Sequence, residues 1–476
     1  MQKYIDFLKK SILAKITLGF LIVLVLLSVY CMIKVSVYLS TSILLIAGLV
    51  FLIVFALLWL CHYKASKVAI VLEVLLSIAM VFGVIGVNKI DRFTQKVVNA
   101  TEYETVEIVA LKDSSITKDQ SFDKLNLAYV QDDDVSYQRS SEILKENNKK
   151  VKNSKPYKNS ESAFQDLLNK KVDLMVLTNL SKSDLSTIDE NYLSKVKTVL
   201  SKNYPFELVK AKEVDISKEP FTVYFQGADL SSKDNINSTG RGDVNMLLTV
   251  NPQTKKVNLQ VIPRDLFVYI PCKDASSKLS YSGWWGGIQS SIASIENKLD
   301  VDINYYAKIN FDGLIQLVDA LGGVKAYSHY TYTAGEYSFK KGYNNIETGE
   351  KALIFARARK MLPLNERSRG YQQMELIKAI FTKFAEEPSY NHAMSVIDSL
   401  ENNFTTNLPK DKFMDAYNIV IDLLPQLQTM ENHSIEGEYK WHYDEVRKNY
   451  YQYYFYPSQN ELDAVKERID NVLNDQ

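Results

Sequence analysis

Three long apolar runs open the chain and constrain its architecture more than any other feature. They span residues 12–33, 37–61 and 68–87, and each approaches the length of about 20 residues that an α-helix needs to cross a bilayer. The first run is followed too closely by the second, and lacks a convincing small-residue cleavage site, to be a signal peptide. A buried helical hairpin is the weaker alternative, because three such runs in succession are rare in soluble cores. We therefore predict three transmembrane helices within residues 1–90.

The basic residues around these runs predict how the chain crosses the membrane. Those that lie before or at the start of the first run, or between the second and third runs, are Lys3, Lys9, Lys10, Lys15, His62, Lys64 and Lys67. Only Lys34 lies between the first and second runs. Because basic residues are enriched on the cytoplasmic side, we expect a cytoplasmic N-terminus and an extracellular chain after about residue 90.

The composition narrows the class of protein. Lys+Arg and Asp+Glu both number 56, which argues against a nucleic-acid partner, since such proteins usually carry a basic excess. Cys272 is the only cysteine outside the apolar runs, so the exported part has no disulfide framework, which suits a Gram-positive plasma membrane protein. The chain lacks Gly-x-Ser-x-Gly, His-Glu-x-x-His and P-loop motifs, so serine hydrolase, zinc protease and ATPase hypotheses have no support.

The pattern of apolar and polar residues beyond the membrane segments predicts an α/β fold class. Residues 91–104 are polar and predict a juxtamembrane linker. Strand-like and helix-like segments alternate across residues 105–215, which predicts a small α/β accessory domain. They interleave again across residues 220–425, which predicts a second α/β domain with a central sheet flanked by helices. Residues 426–476 form a C-terminal extension with an aromatic run and a helix-like end.

Carboxylates near predicted strand ends are candidate metal ligands. Asp229 follows one predicted strand and Asp243 precedes the next. Two such carboxylates can share a hard cation such as Mg²⁺, which takes few protein oxygens together with phosphate oxygens. Either residue alone is better explained as a turn-capping aspartate. Asp132, Asp133 and Asp134 also follow a predicted strand, and we interpret them as a solvated acidic loop, with cation binding as the alternative.

Five arginines and a glutamine complete the candidate site. They are Arg241, Arg264, Arg357, Arg359, Arg369 and Gln373. Paired arginines with a few carboxylates are what a site needs to hold a pyrophosphate and its metal ion. We expect the site to face the extracellular surface of the membrane, where a lipid-linked phosphate can reach it.

Each arginine also has a simpler explanation. Arg264 can form a structural pair with its neighbour Asp265. Arg357 and Arg359 point the same way on an extended segment but diverge if the helix continues through them. An amphipathic helix is predicted to begin at residues 372–373, and its N-terminus can face an anion. The conjunction of these pieces in one exported domain favours a shared site.

At these residues the chain resembles the LytR-CpsA-Psr family of Gram-positive cell-envelope proteins. The matching stretches are Gly227-Ala-Asp229, Thr239-Gly-Arg-Gly-Asp-Val-Asn-Met-Leu-Leu-Thr-Val-Asn251, Val261-Ile-Pro-Arg-Asp265, Ile303-Asn-Tyr-Tyr-Ala-Lys-Ile-Asn-Phe311, Leu317-Val-Asp-Ala-Leu-Gly-Gly-Val324 and Gly349-Glu-Lys-Ala-Leu-Ile-Phe-Ala-Arg-Ala-Arg359, followed by Arg369 and Gln373. Their order and spacing are preserved across residues 220–400. The apolar runs and the inserted α/β domain look like the streptococcal capsule-assembly branch, which carries an accessory domain there.

The resemblance implies a phosphotransferase that moves an anionic glycopolymer from an undecaprenyl pyrophosphate carrier onto peptidoglycan. It implies Mg²⁺, or Mn²⁺, linked to Asp229 and Asp243. It implies a hydrophobic pocket between sheet and helices for the prenyl chain. The phosphate-binding residues that it implies are Arg241, Arg264, Arg357, Arg359, Arg369 and Gln373. The chain departs from the family pattern at Tyr281-Ser-Gly-Trp-Trp285, which replaces a histidine-alanine pair, and at Asn365-Glu366-Arg367, which replaces an Asp-rich approach.

We therefore predict a membrane-anchored transferase of capsular polysaccharide or a teichoic-acid-like polymer, with Asp243, Arg264 and Arg359 as catalytic residues. The expected partners are the undecaprenyl (pyro)phosphate-linked glycopolymer, peptidoglycan, the membrane and capsule-synthesis proteins. One competing hypothesis is a non-enzymatic membrane regulator that binds lipid-linked intermediates. Another is a prenyl pyrophosphatase that uses the same residues with water as the acceptor. The presence of both carboxylates and all five arginines favours an enzyme.

Overall fold

Three helices near the N-terminus are long and apolar enough to cross a membrane, which confirms the prediction from the apolar runs. They are α1 (Ile12–Val35), α2 (Thr41–Tyr63) and α3 (Lys67–Val97). The structure, a computed structural model, describes residues 12–39, 41–63, 67–131, 135–189, 191–230, 235–386, 390–430, 432–447 and 451–475. The side chains of Lys3, Lys9, Lys10, Lys64, Asp132, Asp133 and Asp134, on which some predictions rest, lie outside these described residues.

The segment 91–104, which we expected to be a linker, is instead regular structure at both ends. Helix α3 continues to Val97, and a β-strand begins at Tyr103. Lys96, at the polar end of α3, contacts the second domain, where its Nζ donates to Asn402 Oδ1 at 2.6 Å. The polar composition of this segment therefore reflects contacts between domains rather than an extended linker.

The accessory region folds as a five-stranded sheet between helices. Its strands are β1 (Tyr103–Leu111), β2 (Asn126–Val130), β3 (Asn153–Tyr157), β4 (Leu174–Leu177) and β5 (Val196–Pro205). Its helices are α4 (Ser136–Glu146), α5 (Ser160–Leu168), α6 (Asn179–Ile188) and α7 (Tyr192–Lys195). The strand order is β3-β2-β4-β1-β5, and β2 runs parallel to both of its neighbours. Strand β3 is not evident from the sequence because it is a polar edge strand that contains Pro156.

The second domain is built around a six-stranded central sheet. The strands of the whole second domain, inside and outside this sheet, are β6 (Phe221–Asp229), β7 (Arg241–Asn251), β8 (Lys256–Val261), β9 (Phe267–Ile270), β10 (Ala275–Lys278), β11 (Tyr305–Asn310), β12 (Val324–Ser328), β13 (Tyr332–Ala334), β14 (Tyr337–Phe339), β15 (Gly342–Ile346), β16 (Phe404–Thr406) and β17 (His433–Ser434). Its helices are α8 (Leu279–Leu299), α9 (Phe311–Ala320), α10 (Gly349–Arg357), α11 (Glu366–Glu386), α12 (Tyr390–Leu400), α13 (Phe413–Asp422) and α14 (Leu424–Thr429).

The central sheet has the strand order β16-β11-β6-β7-β8-β17. Strands β7 and β8 form the antiparallel hairpin that the turn at residues 251–255 predicts. Strand β11 returns parallel to β6 after the crossover through α8. Asn310 and Thr348 cap α9 and α10, because their side-chain oxygens accept hydrogen bonds from the backbone N–H groups of Gly313 and Lys351.

The C-terminal extension covers one side of this sheet. It contains the hairpin β18 (Gly437–Tyr443) and β19 (Tyr451–Pro457), followed by α15 (Gln459–Leu473). Alternate residues of β7 face opposite sides of the sheet. Leu247 packs in the core that contains α8 and α15, whereas Met246 and Leu248 pack in the core that contains α11 and α14. The central sheet is thus flanked by helices on both faces, as the sequence predicts.

Glu102, just ahead of β1, joins the accessory domain to the second domain. Its carboxylate forms a buried ion pair with Lys308 and accepts a hydrogen bond from the backbone N–H of Ile288. That N–H is free because α8 is interrupted at Gly286 and Gly287. Gly287 has a φ of 65°, and a Cβ at this position would collide with the Glu102 carboxylate. Glycine is therefore required here both by the backbone and by its neighbour.

Candidate active site

Asp229 and Arg241 face each other across the two central strands. Asp229 ends β6, Arg241 begins β7, and the antiparallel ladder pairs the two residues directly. Arg241 Nε donates to Asp229 Oδ2 at 3.0 Å and lies 3.8 Å from Asp243 Oδ1. The two carboxylates that we expected to share a cation therefore converge on one guanidinium.

The aromatic segment at residues 281–285 packs against this guanidinium. The ring centroid of Trp284 lies 5.7 Å from Arg241 Cζ, and Tyr281 stacks on Trp284 with centroids 4.7 Å apart. Gly283 lies between these two residues in the sequence, and a Cβ there would lie only 2.6 Å from the carbonyl oxygen of Gly240. The glycine allows the start of α8 to approach the β6–β7 connection closely, and a cation–π contact then restrains Arg241.

Arg264 follows β8 and reaches back to Asp243. Its Nη1 donates to Asp243 Oδ2 at 2.9 Å. The alternative pairing of Arg264 with Asp265 does not form, because Asp265 Oδ1 instead lies 2.9 Å from Lys278 Nζ. Asp243 Oδ1 and Arg264 Nε are buried and make no hydrogen bond within the described part of the chain. The pair thus leaves one acceptor and one donor available inside the site.

The surrounding arginines decide the charge state of Asp243. Burial raises the pKa of its carboxyl, but the positive charges of Arg264, Arg241 and Arg369 outweigh burial, and the pKa lies below its usual value. Burial likewise lowers the pKa of Arg264, but Asp243 and Glu366 outweigh it and raise that pKa. Both partners are therefore charged at neutral pH although both are largely shielded from water.

Glu366 is a central residue of the site that the sequence analysis did not select. Its Oε1 lies 2.7 Å from Arg359 Nη1 and 3.6 Å from Arg264 Nη2, and its Oε2 lies 2.5 Å from Arg369 Nη2. Glu366 is the first residue of α11. The prediction that this amphipathic helix begins at residues 372–373 is therefore wrong. An acidic residue is favourable at a helix N-terminus. The spacing of three residues between Glu366 and Arg369 was the available signal.

Arg357 and Arg359 separate rather than form a fork. Helix α10 ends at Arg357, and Ala358 leaves the helical conformation. Arg357 Cζ lies 4.9 Å from the ring centroid of Phe311, whereas Arg359 turns to Glu366. The two side chains nevertheless line the same cavity, so they approach one bound group from different directions.

Arg367 and Arg369 also diverge, because both lie on the first turn of α11. Arg367 Nη2 lies 2.6 Å from Glu436 Oε1, away from the carboxylate that holds Arg369. Gln373 lies one turn after Arg369 and donates to the carbonyl oxygen of Ala356 at 3.2 Å. Arg369 and Gln373 thus belong to the site, and Arg367 serves as a nearby arginine with a different partner.

An apolar cavity of about 630 Å³ opens beside the arginines, between the central sheet and the helices α9, α10 and α11. Its apolar lining includes Phe225, Ala307, Ile309, Phe311, Leu314, Leu317, Leu353, Leu376, Ile377, Ile380, Phe381, Leu400 and Phe404. Its charged end is formed by Asp243, Arg264, Arg357, Arg359, Arg369 and Gln373. The structure therefore contains a pocket of the kind and position that the resemblance implies.

A second, more polar pocket of about 600 Å³ adjoins the same side chains. It shares five residues with the apolar cavity, namely Asp243, Arg264, Arg359, Arg369 and Gln373. Glu366 and Asn245 add polar groups, and Tyr439 and Tyr453 of the C-terminal hairpin form part of its wall. The charged cluster thus stands between an apolar space and a polar one.

The donor set is compatible with the expected Mg²⁺ or Mn²⁺. Among the described residues there is no group of three or more His, Cys, Asp and Glu side chains that could enclose a metal ion. A cation here would take oxygens from Asp229 and Asp243 and complete its shell with phosphate and water oxygens, as Mg²⁺ commonly does. Asp243 Oδ1 suits this role because it is buried and accepts no hydrogen bond from any residue that the structure describes.

Comparison with solved structures finds chains that superimpose on about half of this chain. A protein from Streptococcus agalactiae superimposes with a TM-score of 0.49 and 22% identity, over 56% of this chain and 92% of that chain. The crystal structure of TagU from B. subtilis superimposes with a TM-score of 0.42 and 27% identity, over 54% of this chain and 99% of that chain.

Comparison of sequences identifies the family. The polyisoprenyl-teichoic acid–peptidoglycan teichoic acid transferase TagU of Bacillus mycoides (strain KBAB4) is 33% identical over 259 residues, which are 54% of this chain and 79% of the relative. TagU of Bacillus subtilis (strain 168) is 33% identical over 227 residues, which are 48% of this chain and 72% of the relative. The LytR_cpsA_psr family model matches residues 190–471. Because this match spans more than half of the chain and every residue of the candidate site, the protein belongs to the LytR_cpsA_psr family.

Proposed function

We propose that this protein is a membrane-anchored phosphotransferase that moves a glycopolymer from undecaprenyl pyrophosphate to peptidoglycan. The polymer is a capsular polysaccharide or a teichoic-acid-like chain. The observation that carries the proposal is that the apolar cavity and the polar pocket meet at one cluster of arginines. Relatives named for the transfer of polyisoprenyl-linked teichoic acid to peptidoglycan support the same reaction class.

The cavity suits a prenyl chain in both chemistry and position. Each buried CH₂ group contributes about 0.8 kcal/mol, so a polyprenyl tail can dominate the affinity for the donor. The diphosphate that follows the tail would then lie at the charged end, against Arg357 and Arg359. The cluster of five arginines contains three carboxylates, so it keeps an excess of positive charge for an anionic ligand.

The proposed reaction is a displacement at the phosphorus that carries the glycopolymer. The oxygen of an acceptor sugar hydroxyl forms a new P–O bond, and the P–O bond to the bridging oxygen of the diphosphate breaks. Prenyl monophosphate leaves with that electron pair, and the hydroxyl proton passes to a carboxylate of the site or to water. Arg264 and Arg359 stabilise the charge that develops on the phosphoryl oxygens. Asp243 Oδ1 is a buried acceptor without a hydrogen bond from the described residues, and it would receive the proton or a cation.

Asp229 and Asp243 would hold Mg²⁺ or Mn²⁺, which would supply positive charge to the diphosphate as the leaving group departs. The residues of the chain would still orient the diphosphate, because the guanidiniums of Arg264, Arg359 and Arg369 are held by Asp243 and by one carboxylate of α11. We place the N-terminus in the cytoplasm and the site outside the membrane, on the basis of the basic residues near the apolar runs.

The decisive experiment uses the full chain in detergent with a prenyl pyrophosphate-linked sugar, peptidoglycan and Mg²⁺. Release of prenyl monophosphate and sugar attached to peptidoglycan are both measured. We expect metal-dependent transfer that falls by a factor of 10² or more in Arg359→Ala, the size of effect seen when one stabilising donor is removed from an active site. Arg468→Ala is the control, because this arginine lies on α15, donates to Gln260 Oε1 and lines neither of the two pockets.

The outcomes separate the competing functions. Release of prenyl monophosphate with only free sugar phosphate as the second product would indicate a pyrophosphatase. Tight donor binding without turnover by any acceptor tested would indicate a regulator. Unchanged transfer in Arg359→Ala would contradict the proposed active site.

A further inference from the structure

The C-terminal hairpin presents a ladder of aromatic side chains on one face. In β18 the residues on this face are Tyr439, Trp441 and Tyr443, and in β19 they are Tyr451, Tyr453 and Phe455. The register places them directly opposite one another, as the pairs Tyr439–Phe455, Trp441–Tyr453 and Tyr443–Tyr451. Side chains two residues apart share a face of a strand, so the ladder runs the length of the hairpin.

The ladder is buried at one end and exposed at the other. Phe455 is only 4% exposed and packs in the core, whereas Trp441 and Tyr443 are 60% exposed and Tyr451 is 56% exposed. The rings of Trp441 and Tyr451 are stacked, with centroids 5.6 Å apart and an interplanar angle of 20°. Cross-strand aromatic pairs stabilise a hairpin, but that role does not require so much aromatic surface in water. Exposed patches of this kind mark interaction sites.

The ladder is continuous with the active site. Tyr439, Tyr453 and Phe455 line the polar pocket that also contains Arg264 and Arg359. The exposed rings therefore extend the wall of that pocket outward. Flat aromatic rings with a polar edge suit pyranose rings, which offer an apolar C–H face for stacking and hydroxyl groups at the rim. A ligand that runs along the ladder would enter the polar pocket.

The ladder lies beyond the edge of the central sheet that is opposite the membrane helices. Helix α3 joins the central sheet at β16, where Val98 bridges Thr406. The hairpin follows β17, which is the opposite edge of the same sheet. Five inter-strand spacings of about 4.8 Å place these edges about 24 Å apart. The aromatic face thus lies far from the point at which the membrane helices attach.

The geometry of displacement selects the acceptor rather than the donor polymer. In phosphoryl transfer the attacking and leaving oxygens lie roughly in line through phosphorus. If the proposed function is right, the leaving prenyl phosphate points into the apolar cavity, so the attacking hydroxyl comes from the other side of the arginines, where the polar pocket lies. We propose that the aromatic ladder binds the glycan strand of peptidoglycan and delivers its hydroxyl group to the polar pocket. This inference rests on the proposed transferase for its direction, but the binding itself is independent of turnover.

The test measures sedimentation of the full chain, in nanodiscs, with purified peptidoglycan freed of attached polymers. We expect Trp441→Ala and Tyr451→Ala each to weaken binding at least tenfold, and Trp441→Phe to restore most of it. The matched control is Tyr343→Ala, because Tyr343 is 70% exposed but lies on β15. In transfer assays, Trp441→Ala should raise the KM for peptidoglycan and leave kcat and donor affinity within twofold of wild type.

Two comparisons keep this inference distinct from the proposed function. Arg359→Ala should lose transfer but keep peptidoglycan binding. If neither wild type nor any variant shows transfer, yet peptidoglycan binding still depends on Trp441, the proposal that the ladder binds glycan is supported and the transferase proposal fails. If binding by Trp441→Ala stays within twofold of wild type, the inference is overturned. Two results would overturn the choice of partner. One is that Trp441→Ala loses binding to a soluble glycopolymer but keeps binding to peptidoglycan. The other is that nanodisc lipid shields a label attached at Tyr443→Cys.

Discussion

Arg359 Nη1 lies 2.7 Å from Glu366 Oε1, and this contact fixes an arginine outside any helix to the first turn of α11. The same carboxylate holds Arg369 on its other oxygen. Glu366 therefore keeps guanidiniums of like charge close together before any anion arrives. A bound diphosphate would take over part of that task, because it supplies the same kind of acceptor to the same donors.

We expect Glu366→Gln to destabilise the free protein and to respond strongly to anions. Removing one partner from a buried ion-pair cluster costs about 3 kcal/mol, because Arg359 and Arg369 then lose the carboxylate that pairs with both of them. Inorganic pyrophosphate should restore that loss, so its addition should raise the Tm of the variant more than the Tm of wild type. Thermal unfolding with and without pyrophosphate measures both effects.

The control is Glu436→Gln, because Glu436 is exposed and pairs with Arg367 outside the cluster. It should change the Tm little and should not alter the response to pyrophosphate. Equal responses in both variants would show that Glu366 does not organise the arginines.

The pKa of Asp243 predicts a pH-dependent effect of Arg264→Gln. Burial raises this pKa, and Arg264 is the largest opposing influence in wild type, where the pKa lies below its usual value. A depressed carboxyl pKa contributes stability above the unfolded pKa, about 4, and that contribution is lost as the pH falls. The loss of Arg264 should therefore cost most near pH 7 and least near pH 4.

Thermal unfolding of wild type and Arg264→Gln between pH 4 and pH 7 measures this dependence. The difference in Tm should widen as the pH rises. Arg367→Gln serves as the comparison, because its partner Glu436 is exposed, and its difference should stay small at each pH. A constant difference for Arg264→Gln would mean that Asp243 titrates normally.

Features of the fold that depend on local patterns could be predicted from the sequence. Apolar runs predict α1 to α3, alternation and turn residues predict the β7–β8 hairpin, and the caps at Asn310 and Thr348 predict the starts of α9 and α10. Such features involve residues close in the chain, so periodicity and turn chemistry are enough to find them.

Pairings that depend on long-range geometry could not be predicted in this way. Asp265 precedes β9 but pairs with Lys278, and Glu102 pairs with Lys308 on another domain. The role of Glu366 depends on where α11 begins and on how the preceding loop brings Arg359 back to it. No periodic pattern encodes a distance between segments that only the assembled sheet brings together.

Gly287→Ala should destabilise the junction between the accessory domain and the second domain. A side chain at a φ of 65° is strained, and its Cβ would displace Glu102 from the buried pair with Lys308. We expect a loss of about 3 kcal/mol or more in the free energy of unfolding, since breaking a buried pair leaves an uncompensated charge. Denaturant unfolding of the full chain in detergent measures this loss.

Gly322→Ala is the matched control for this substitution. Gly322 has a φ of 70°, but a Cβ there meets no atom within 4 Å. Its cost should therefore be the backbone strain alone, about 1 kcal/mol. If the two substitutions cost the same, the contact between Gly287 and Glu102 has no energetic importance.

The apolar cavity predicts how the enzyme would choose among donors of different prenyl length. Ala307 lies on β11 and lines the cavity, so Ala307→Phe should fill part of the space that the tail of the proposed donor would occupy. In wild type the KM should fall with each added isoprene unit until the cavity is full, because each buried CH₂ contributes about 0.8 kcal/mol. In the variant this fall should stop at a shorter chain. Donors with only two isoprene units should be used equally well by both proteins, since the phosphate-binding arginines are unchanged. Parallel curves for the two proteins would place the lipid tail outside this cavity.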